Sequence, residues 1–221
     1  MVNRKIVICS ESLRLPRVAA SPDEKFSIDS EAIIGLLKNN IEALQAGSIG
    51  IEAAGFGGKD EFMKEVPFFV LSKFAEYRHR NQAIEIFIIA IRDADTSDGK
   101  KISGIRRKLT DKIRKLIGAQ EFNRVHIMFA VQAIEAWILA DEQKLNEYLG
   151  VTNKVKHINV PEKIEHPKQA VQNLFVQCGR KYSPQQLQDL LPQLQVSELR
   201  RCKHFNELYT CVQKIVEGAA S

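Results

Sequence analysis

Apolar residues in the first 150 positions occur in two patterns, short continuous runs and longer stretches with helical spacing. The runs, at residues 5–9, 48–54, 84–91 and 125–131, are typical of strands covered on both faces. Helical spacing occurs over residues 31–45, about 60–80, 103–117 and 133–145. This order of strand and helix predicts an α/β fold, with an open, mostly parallel Rossmann-like sheet and helices on both faces.

The pattern changes beyond Gly150. Residues 151–167 are polar and contain proline, and helical spacing returns at 168–177, 184–194 and 202–216 without a convincing strand. We therefore predict an α/β domain over residues 1–150 and a helical C-terminal extension over residues 151–221. No stretch approaches the roughly 18 apolar residues of a membrane span, and the first apolar run is too short for a signal peptide. We expect a soluble, cytoplasmic protein with no membrane partner.

Cysteine spacing and net charge further narrow the class of protein to which the chain can belong. The four cysteines stand apart without a C-x-x-C pair, so we expect reduced, mostly buried thiols and no zinc site. Lysine and arginine number 32 against 27 acids, which gives a net charge of +5 and a pI near 9.0. That balance suits a polyanionic partner without requiring one.

Acidic residues follow three of the predicted strands. Glu11 comes after the first strand, Asp93 and Asp95 after the most apolar one, and Glu135 in the helix after the last. Ligands of open parallel sheets bind at the carboxyl ends of strands, where these acids should meet. Their mutual repulsion and hard oxygen ligands predict a Mg²⁺ site, or Mn²⁺ in its place, held by Glu11, Asp93 and Asp95, with Asp98 as a further ligand.

Each acid also has a simpler interpretation. The Asp-rich turn at residues 93–98 could only cap the next helix, and a lone Glu11 or Glu135 could be solvated or complement a helix dipole. Asp141 lies on the apolar side of its helix, where it could support the site or pair with a C-terminal lysine. The Gly-rich turn at residues 55–59 could bind phosphate but lacks the Walker spacing.

The acidic motifs resemble a known family. Glu11 after the first strand and Asp93-Ala94-Asp95 after a later one resemble the TOPRIM pattern of topoisomerases, bacterial primases and overcoming-lysogenization-defect nucleases. Ser12 stands where that family usually has Gly, and the third acid is displaced to Asp98. Further segments resemble an uncharacterised bacterial TOPRIM-like family often encoded beside an ATPase in phage-defence loci, namely Gln132–Asp141, His166–Lys168 and Arg201–Phe205.

The resemblance implies a metal-dependent nuclease that serves as the effector of an anti-phage system. Asp93, Asp95 and Glu11 would hold one or two metal ions, and Glu135 would supply a further ligand or a base. We expect DNA in preference to RNA as substrate and an ATPase subunit as a second partner. The residues expected to contact nucleic acid are Lys168, by resemblance, and the basic helix residues Arg106, Arg107, Lys108 and Lys112.

Three alternatives remain open on the sequence alone. A non-catalytic TOPRIM-like scaffold for an ATPase would explain the imperfect first motif. Asp93, Asp95 and Thr96 also resemble haloacid-dehalogenase-type phosphatases, but there the motif normally ends the first strand. A sugar-nucleotide transferase would use the same Asp-x-Asp, although the sequence shows no nucleotide pocket.

Overall fold

The fold is taken from a computed structural model, which describes residues 3–11, 27–79 and 84–218. In these ranges the strands are β1 (Asn3–Ser10), β2 (Gly50–Gly55), β3 (Ile84–Asp93) and β4 (Val125–Ala130). All are parallel, in the order β2-β1-β3-β4. The predicted α/β class with a parallel sheet is confirmed, and each predicted run forms a strand.

The strand order reverses at the centre of the sheet. The chain passes from β1 outward to β2, crosses to β3 on the other side of β1, and continues outward to β4. The boundary between β1 and β3 is therefore a topological switch point, where diverging loops leave a crevice. Ser10 pairs with Ile91 in this register, so Glu11 and Asp93 flank the crevice.

Helices surround the sheet. None of the helices in the described part of the chain combines the length and the apolar character needed to cross a membrane. Two 3₁₀ turns lie at Pro161–Lys163 and Leu191–Gln193. The α-helices are α1 (Ile28–Asn40), α2 (Glu42–Gln45), α3 (Lys59–His79), α4 (Gly99–Ile117), α5 (Ala119–Phe122), α6 (Glu135–Ile138), α7 (Glu142–Leu149), α8 (Pro167–Gln177), α9 (Pro184–Leu190), α10 (Val196–Leu199) and α11 (Lys203–Glu217).

The two faces of the sheet bury different helices, because successive side chains of a strand point to opposite sides. Val7 and Ile88 belong to a core shared with α3 and α4. Ile6 and Ile89 belong to a second core, shared with α1 and with α8, α9 and α11. Helices on both faces are thus confirmed.

Three predicted helices are shorter or more broken than their apolar spacing suggests. The stretch over residues 31–45 forms α1 and α2, because Ile41 has an extended backbone with φ −129°. The stretch after Gln132 breaks at Asp141, which caps α7 instead of continuing α6. The helix expected over 184–194 is α-helical only as far as Leu190, where α9 ends. It continues as a 3₁₀ turn that contains Pro192, whose ring and missing N–H oppose an α-helix. Some predictions fall on residues outside the described ranges. They are the departure at Ser12 in the first acidic motif, the end of the predicted helix at residue 80, and residues 219–221 of the C-terminal extension.

The four cysteines are free thiols, buried at Cys9 and Cys202 and partly exposed at Cys178 and Cys211. Burial raises the pKa of Cys9 to about 12 and that of Cys202 to about 12. Because the thiolate is the reactive form, these two thiols are inert near neutral pH.

The C-terminal helices share their core with the sheet. Trp137 of α6 and Phe205 of α11 are both fully buried, and their rings meet edge to face at 5.2 Å between centroids. Both belong to the cluster that includes Ile6 and Ile89 of the sheet. A division at residue 150 stays a prediction, since the packing links residues on either side of it.

This shared core predicts that the chain unfolds as one unit. Phe205→Ala should lower the free energy of unfolding by about 3–5 kcal/mol through the cavity it leaves. Trp137 is the sole tryptophan of the sequence, so its fluorescence reports on this contact. Denaturant unfolding followed by fluorescence and by far-UV circular dichroism should give coincident transitions in wild type. Separate transitions would show that the C-terminal helices fold independently.

Candidate active site

A cavity of about 260 Å³ lies at the switch point, beside the carboxyl ends of β1 and β3. Four acids line it: Glu11, Asp29, Asp93 and Glu135. The opposite wall comes from the C-terminal part of the chain and includes residues of α8 and α9. The structure therefore brings together three of the acids that the sequence predicts to meet, and adds a fourth.

The predicted acids are placed by the ends of the strands. Glu11 directly follows β1, Asp93 is the last residue of β3, and Glu135 is the first residue of α6. Asp95 and Gln132 adopt left-handed backbones with φ 51° and 63°, and the Asp95 N–H donates to the Gln132 carbonyl at 3.0 Å. Non-glycine residues in this conformation cluster at functional sites. The bond ties the loop after β3 to the loop that carries Glu135.

Asp29 was not predicted from the sequence, because an acid in a first helical turn normally just complements the helix dipole. A cluster of serines fixes the start of α1. Ser27 accepts from the Ser30 N–H at 3.1 Å and lies 2.5 Å from the Ser10 hydroxyl at the end of β1. Ser30 donates to the Ala54 carbonyl at the end of β2 at 3.0 Å. The first turn of α1, with Asp29, is thereby held at the carboxyl edge of the sheet.

The acids perturb one another. Burial raises the pKa of Asp93 well above its usual range, and the nearby carboxylates of Asp29, Glu135, Glu11 and Asp95 raise it further. Burial also raises the pKa of Glu11 to about 7, although Arg92 opposes the shift. Burial raises the pKa of Glu135, against the opposing charge of Lys168. The cavity thus concentrates carboxylates whose charged forms are disfavoured unless a cation joins them.

Arg92 was also missed by sequence reasoning. It is the penultimate residue of β3, and its Nε lies 3.3 Å from Glu11 Oε2, with both side chains 11% exposed. Neither atom has a hydrogen-bond partner within the described part of the chain, so the pair attracts by charge without hydrogen-bond geometry. Glu11 Oε2 is therefore a buried carboxylate oxygen with remaining capacity to accept.

Asp95 and Asp98, predicted as metal ligands, do not line the cavity. Asp95 Oδ2 lies 2.5 Å from Lys59 Nζ, and both side chains are half-exposed. Asp98 is the N-cap of α4, and its Oδ1 accepts from the Lys100 and Lys101 N–H groups at 2.8 and 3.4 Å. The geometry favours the simpler interpretation of Asp98 as a helix cap, while metal ligation by either residue stays a prediction.

The donor chemistry of the cavity fits a hard divalent cation. In residues 3–11, 27–79 and 84–218, no three acid, histidine or cysteine side chains are positioned to hold a metal ion together. Magnesium needs only one or two carboxylates and otherwise retains water. Glu11, with its unbonded oxygen, and the crowded Asp93 are the residues that would hold such an ion, and Asp29 and Glu135 line the same space.

The cationic residues predicted to contact nucleic acid lie in two places. Lys168, at the start of α8, lines the acidic cavity. Arg107 and Lys108 are exposed on α4. Arg106 instead lies over the Phe129 ring at 5.3 Å, and Lys112 donates to the Met63 carbonyl at 3.4 Å. Of the four predicted residues of the basic helix, Arg107 and Lys108 are therefore the ones that are exposed and make neither of these contacts.

Asp141 is fully buried but outside the cavity. Its Oδ1 accepts from the Lys144 N–H at 2.9 Å, capping α7, and its Oδ2 accepts from the Gln195 N–H at 2.8 Å. Of the two alternatives left open by the sequence, neither a lysine partner nor a place in the cavity is observed among the described residues, because backbone N–H groups satisfy this carboxylate. Asp141 holds the C-terminal part against α7.

Fold and site define a parallel α/β protein with an acidic cavity at its topological switch point. The chain belongs to the family described as domain of unknown function DUF4276, whose model matches residues 29–213. Comparison with curated proteins and with solved structures gave no match. The matched range contains Asp29, Asp93, Glu135 and Lys168 and begins after Glu11.

Asp93→Asn should stabilise the metal-free protein. Because its pKa is raised on folding, Asp93 costs no stability below its ordinary pKa of 3.8, and it costs progressively more as pH rises through its pKa in the folded protein. The neutral amide avoids this loss, so Asp93→Asn should have the wild-type Tm at low pH and a higher Tm than wild type near pH 7. Thermal unfolding in chelator across this pH range measures the difference.

The matched control is Asp111→Asn, which removes an exposed carboxylate from α4 and should leave Tm unchanged. A Tm difference between Asp93→Asn and wild type that does not vary with pH would contradict the repulsion among the cavity acids.

Proposed function

We propose that the protein is a metal-dependent phosphodiesterase that hydrolyses nucleic acid. One observation carries the proposal: Glu11, Asp93 and Glu135, from three different strand ends, line a single cavity together with Lys168. Carboxylates beside a cation that can bind phosphate suit metal-assisted phosphoryl chemistry. The resemblance of the Glu11 and Asp93-Ala94-Asp95 motifs to TOPRIM nucleases supports the same class.

The residues of the cavity would have different roles in the reaction. Glu11 and Asp93, with Asp29, would hold Mg²⁺ or Mn²⁺, and a bound metal supplies charge neutralisation at the phosphate and activation of water. Glu135 is 5% exposed and its pKa is raised by burial, which suits a proton acceptor for the attacking water. Lys168 would bind a phosphate oxygen through its ammonium group.

The basic face of α4 would hold the backbone of the polyanion. Asp98, the last residue of the Asp-rich turn at residues 93–98, caps this helix, so the helix begins at the carboxyl edge of the sheet and leads away from it. Exposed Arg107 and Lys108 can neutralise phosphates without reading sequence. This surface favours a nucleic acid over a small phosphodiester.

The biological setting belongs to the same proposal and rests on the resemblance alone. We propose an effector subunit of an anti-phage system that acts in the cytoplasm, on DNA in preference to RNA, beside an ATPase.

Cleavage should require added Mg²⁺ or Mn²⁺ and should fall at least about 100-fold in Glu11→Gln and Asp93→Asn, because amides keep the shape but supply no negative charge. Glu135→Gln should lower the rate without abolishing it. The assay measures cleavage of supercoiled DNA, single-stranded DNA and RNA, each with and without an ATPase encoded alongside. Asp111→Asn, which removes an exposed carboxylate that does not line the cavity, is the matched control and should retain activity.

Activity that survives Asp93→Asn in a preparation free of other nucleases would contradict the mechanism. A wild-type protein whose Tm rises with Mn²⁺, but which cleaves none of the substrates, would favour the non-catalytic scaffold.

The basic face can be tested through salt. Arg107→Ser with Lys108→Ser should weaken binding of every DNA sequence and flatten the slope of log K against log salt by about 0.9 for each phosphate that is no longer neutralised. Filter binding or fluorescence anisotropy over a range of salt concentrations measures the slope. Lys203→Ser, which removes a 78% exposed lysine from α11, should leave the slope unchanged. Equal slopes in wild type and the double variant would show that Arg107 and Lys108 are only solvated and do not contact the nucleic acid.

A further inference from the structure

Tyr182 brings a hydroxyl group to the acidic cavity from the C-terminal part of the chain. It lines the cavity, is 9% exposed, and lies in the segment between α8 and α9. Its hydroxyl donates to Glu135 Oε1 at 3.4 Å. Hydrogen bonds at catalytic sites are often long before substrate binds and tighten afterwards. The contact joins two residues 47 positions apart in the sequence.

The end of α8 determines where Tyr182 lies. Gly179 adopts a left-handed backbone with φ 68°, and the Arg180 N–H donates to the Phe175 carbonyl at 2.9 Å. With the Gly179 N–H bonded to the Val176 carbonyl, this is a Schellman motif, which reverses the chain. The turn brings the Tyr182 ring back onto the Phe175 ring, 5.1 Å between centroids.

The other end of this segment is fixed as well. Pro184 begins α9, where its fixed φ suits the first helical position. The proline ring also restricts the preceding residue, Ser183, to an extended backbone, which it adopts with φ −145° and ψ 169°. Tyr182 is therefore held by its backbone as well as by its ring.

Glu135 needs such support because its own element is short. It begins a helix of only four residues, and its side chain is almost fully buried. A buried carboxylate with several rotamers is directed by the donors around it. Tyr182 supplies a neutral donor, whereas Lys168 acts on Glu135 through charge and is itself exposed.

We infer that Tyr182 is a positioning residue whose hydroxyl orients the Glu135 carboxylate in the cavity, so that the C-terminal part of the chain completes the active site. The inference rests on the proposed function, in which Glu135 accepts a proton from water. The phenol takes no part in bond making. Its loss should affect turnover more than substrate binding.

Tyr182→Phe tests this role, because it keeps the ring on Phe175 and removes only the hydroxyl. We expect kcat to fall about 10-fold, as is usual for groups that orient catalytic residues, with KM within twofold of wild type. In a Glu135→Gln background the same change should lower kcat by less than twofold, since no carboxylate remains to be oriented.

Tyr148→Phe is the matched control. Tyr148 also packs against the Phe175 ring, at 6.1 Å between centroids, but does not line the cavity. Its variant should keep the kcat of wild type, and the Tm of the two variants should agree within about 2 °C.

The outcomes separate this inference from the function on which it rests. An unchanged kcat in Tyr182→Phe, or an equal loss in the wild-type and Glu135→Gln backgrounds, would overturn the role of Tyr182 while leaving the nuclease proposal intact. A wild-type protein that cleaves no substrate would overturn both.

Discussion

The parallel pairing of β1 with β3 is the constraint on which the site depends. Eight residue pairs, from Asn3↔Ile84 to Ser10↔Ile91, fix the register between the two central strands. Because the chain leaves these strands in opposite directions, nothing fills the space beyond their carboxyl ends except what the loops and later helices bring there. Glu11 and Asp93 lie at that space because β1 ends just before Glu11 and β3 ends at Asp93.

Bringing carboxylates to this edge creates a repulsion that the protein relieves only in part. Arg92 faces Glu11 and Lys59 faces Asp95, while Asp93 has acids on several sides. Arg92 and Lys59 do not line the cavity, whereas Asp93 does, so the acid with the most like-charged neighbours faces the cavity. Either protonation of an acid or a bound cation would relieve this repulsion, which is why the pKa of Asp93 is raised in the metal-free protein.

Most of the fold could be predicted from the sequence, because buried parallel strands give nearly continuous apolar runs such as residues 84–91. The strand-end rule was sufficient to find Asp93 and Glu135. Asp29 and Tyr182 could not be found this way, since each is placed by contacts distant in sequence, one through the serine cluster and the other through the turn at Gly179. The two interpretations of Asp98 use the same carboxylate oxygens, so only geometry could separate them.

The sequence suggests a catalytic domain followed by an extension, yet the cavity needs both. Lys168 and Tyr182 form a wall that the sheet cannot supply, and the helices α8 and α9, between which Tyr182 lies, share the core that includes Trp137. Asp141 strengthens that attachment, because a buried carboxylate without the Gln195 N–H would be left partly unsatisfied at a cost of about 1–3 kcal/mol or more. The C-terminal helices are thus bound to the sheet by apolar packing, and to the start of α7 by the hydrogen bond between Asp141 and the Gln195 N–H. Separating them would open the cavity and remove the hydroxyl from Glu135 in the same step.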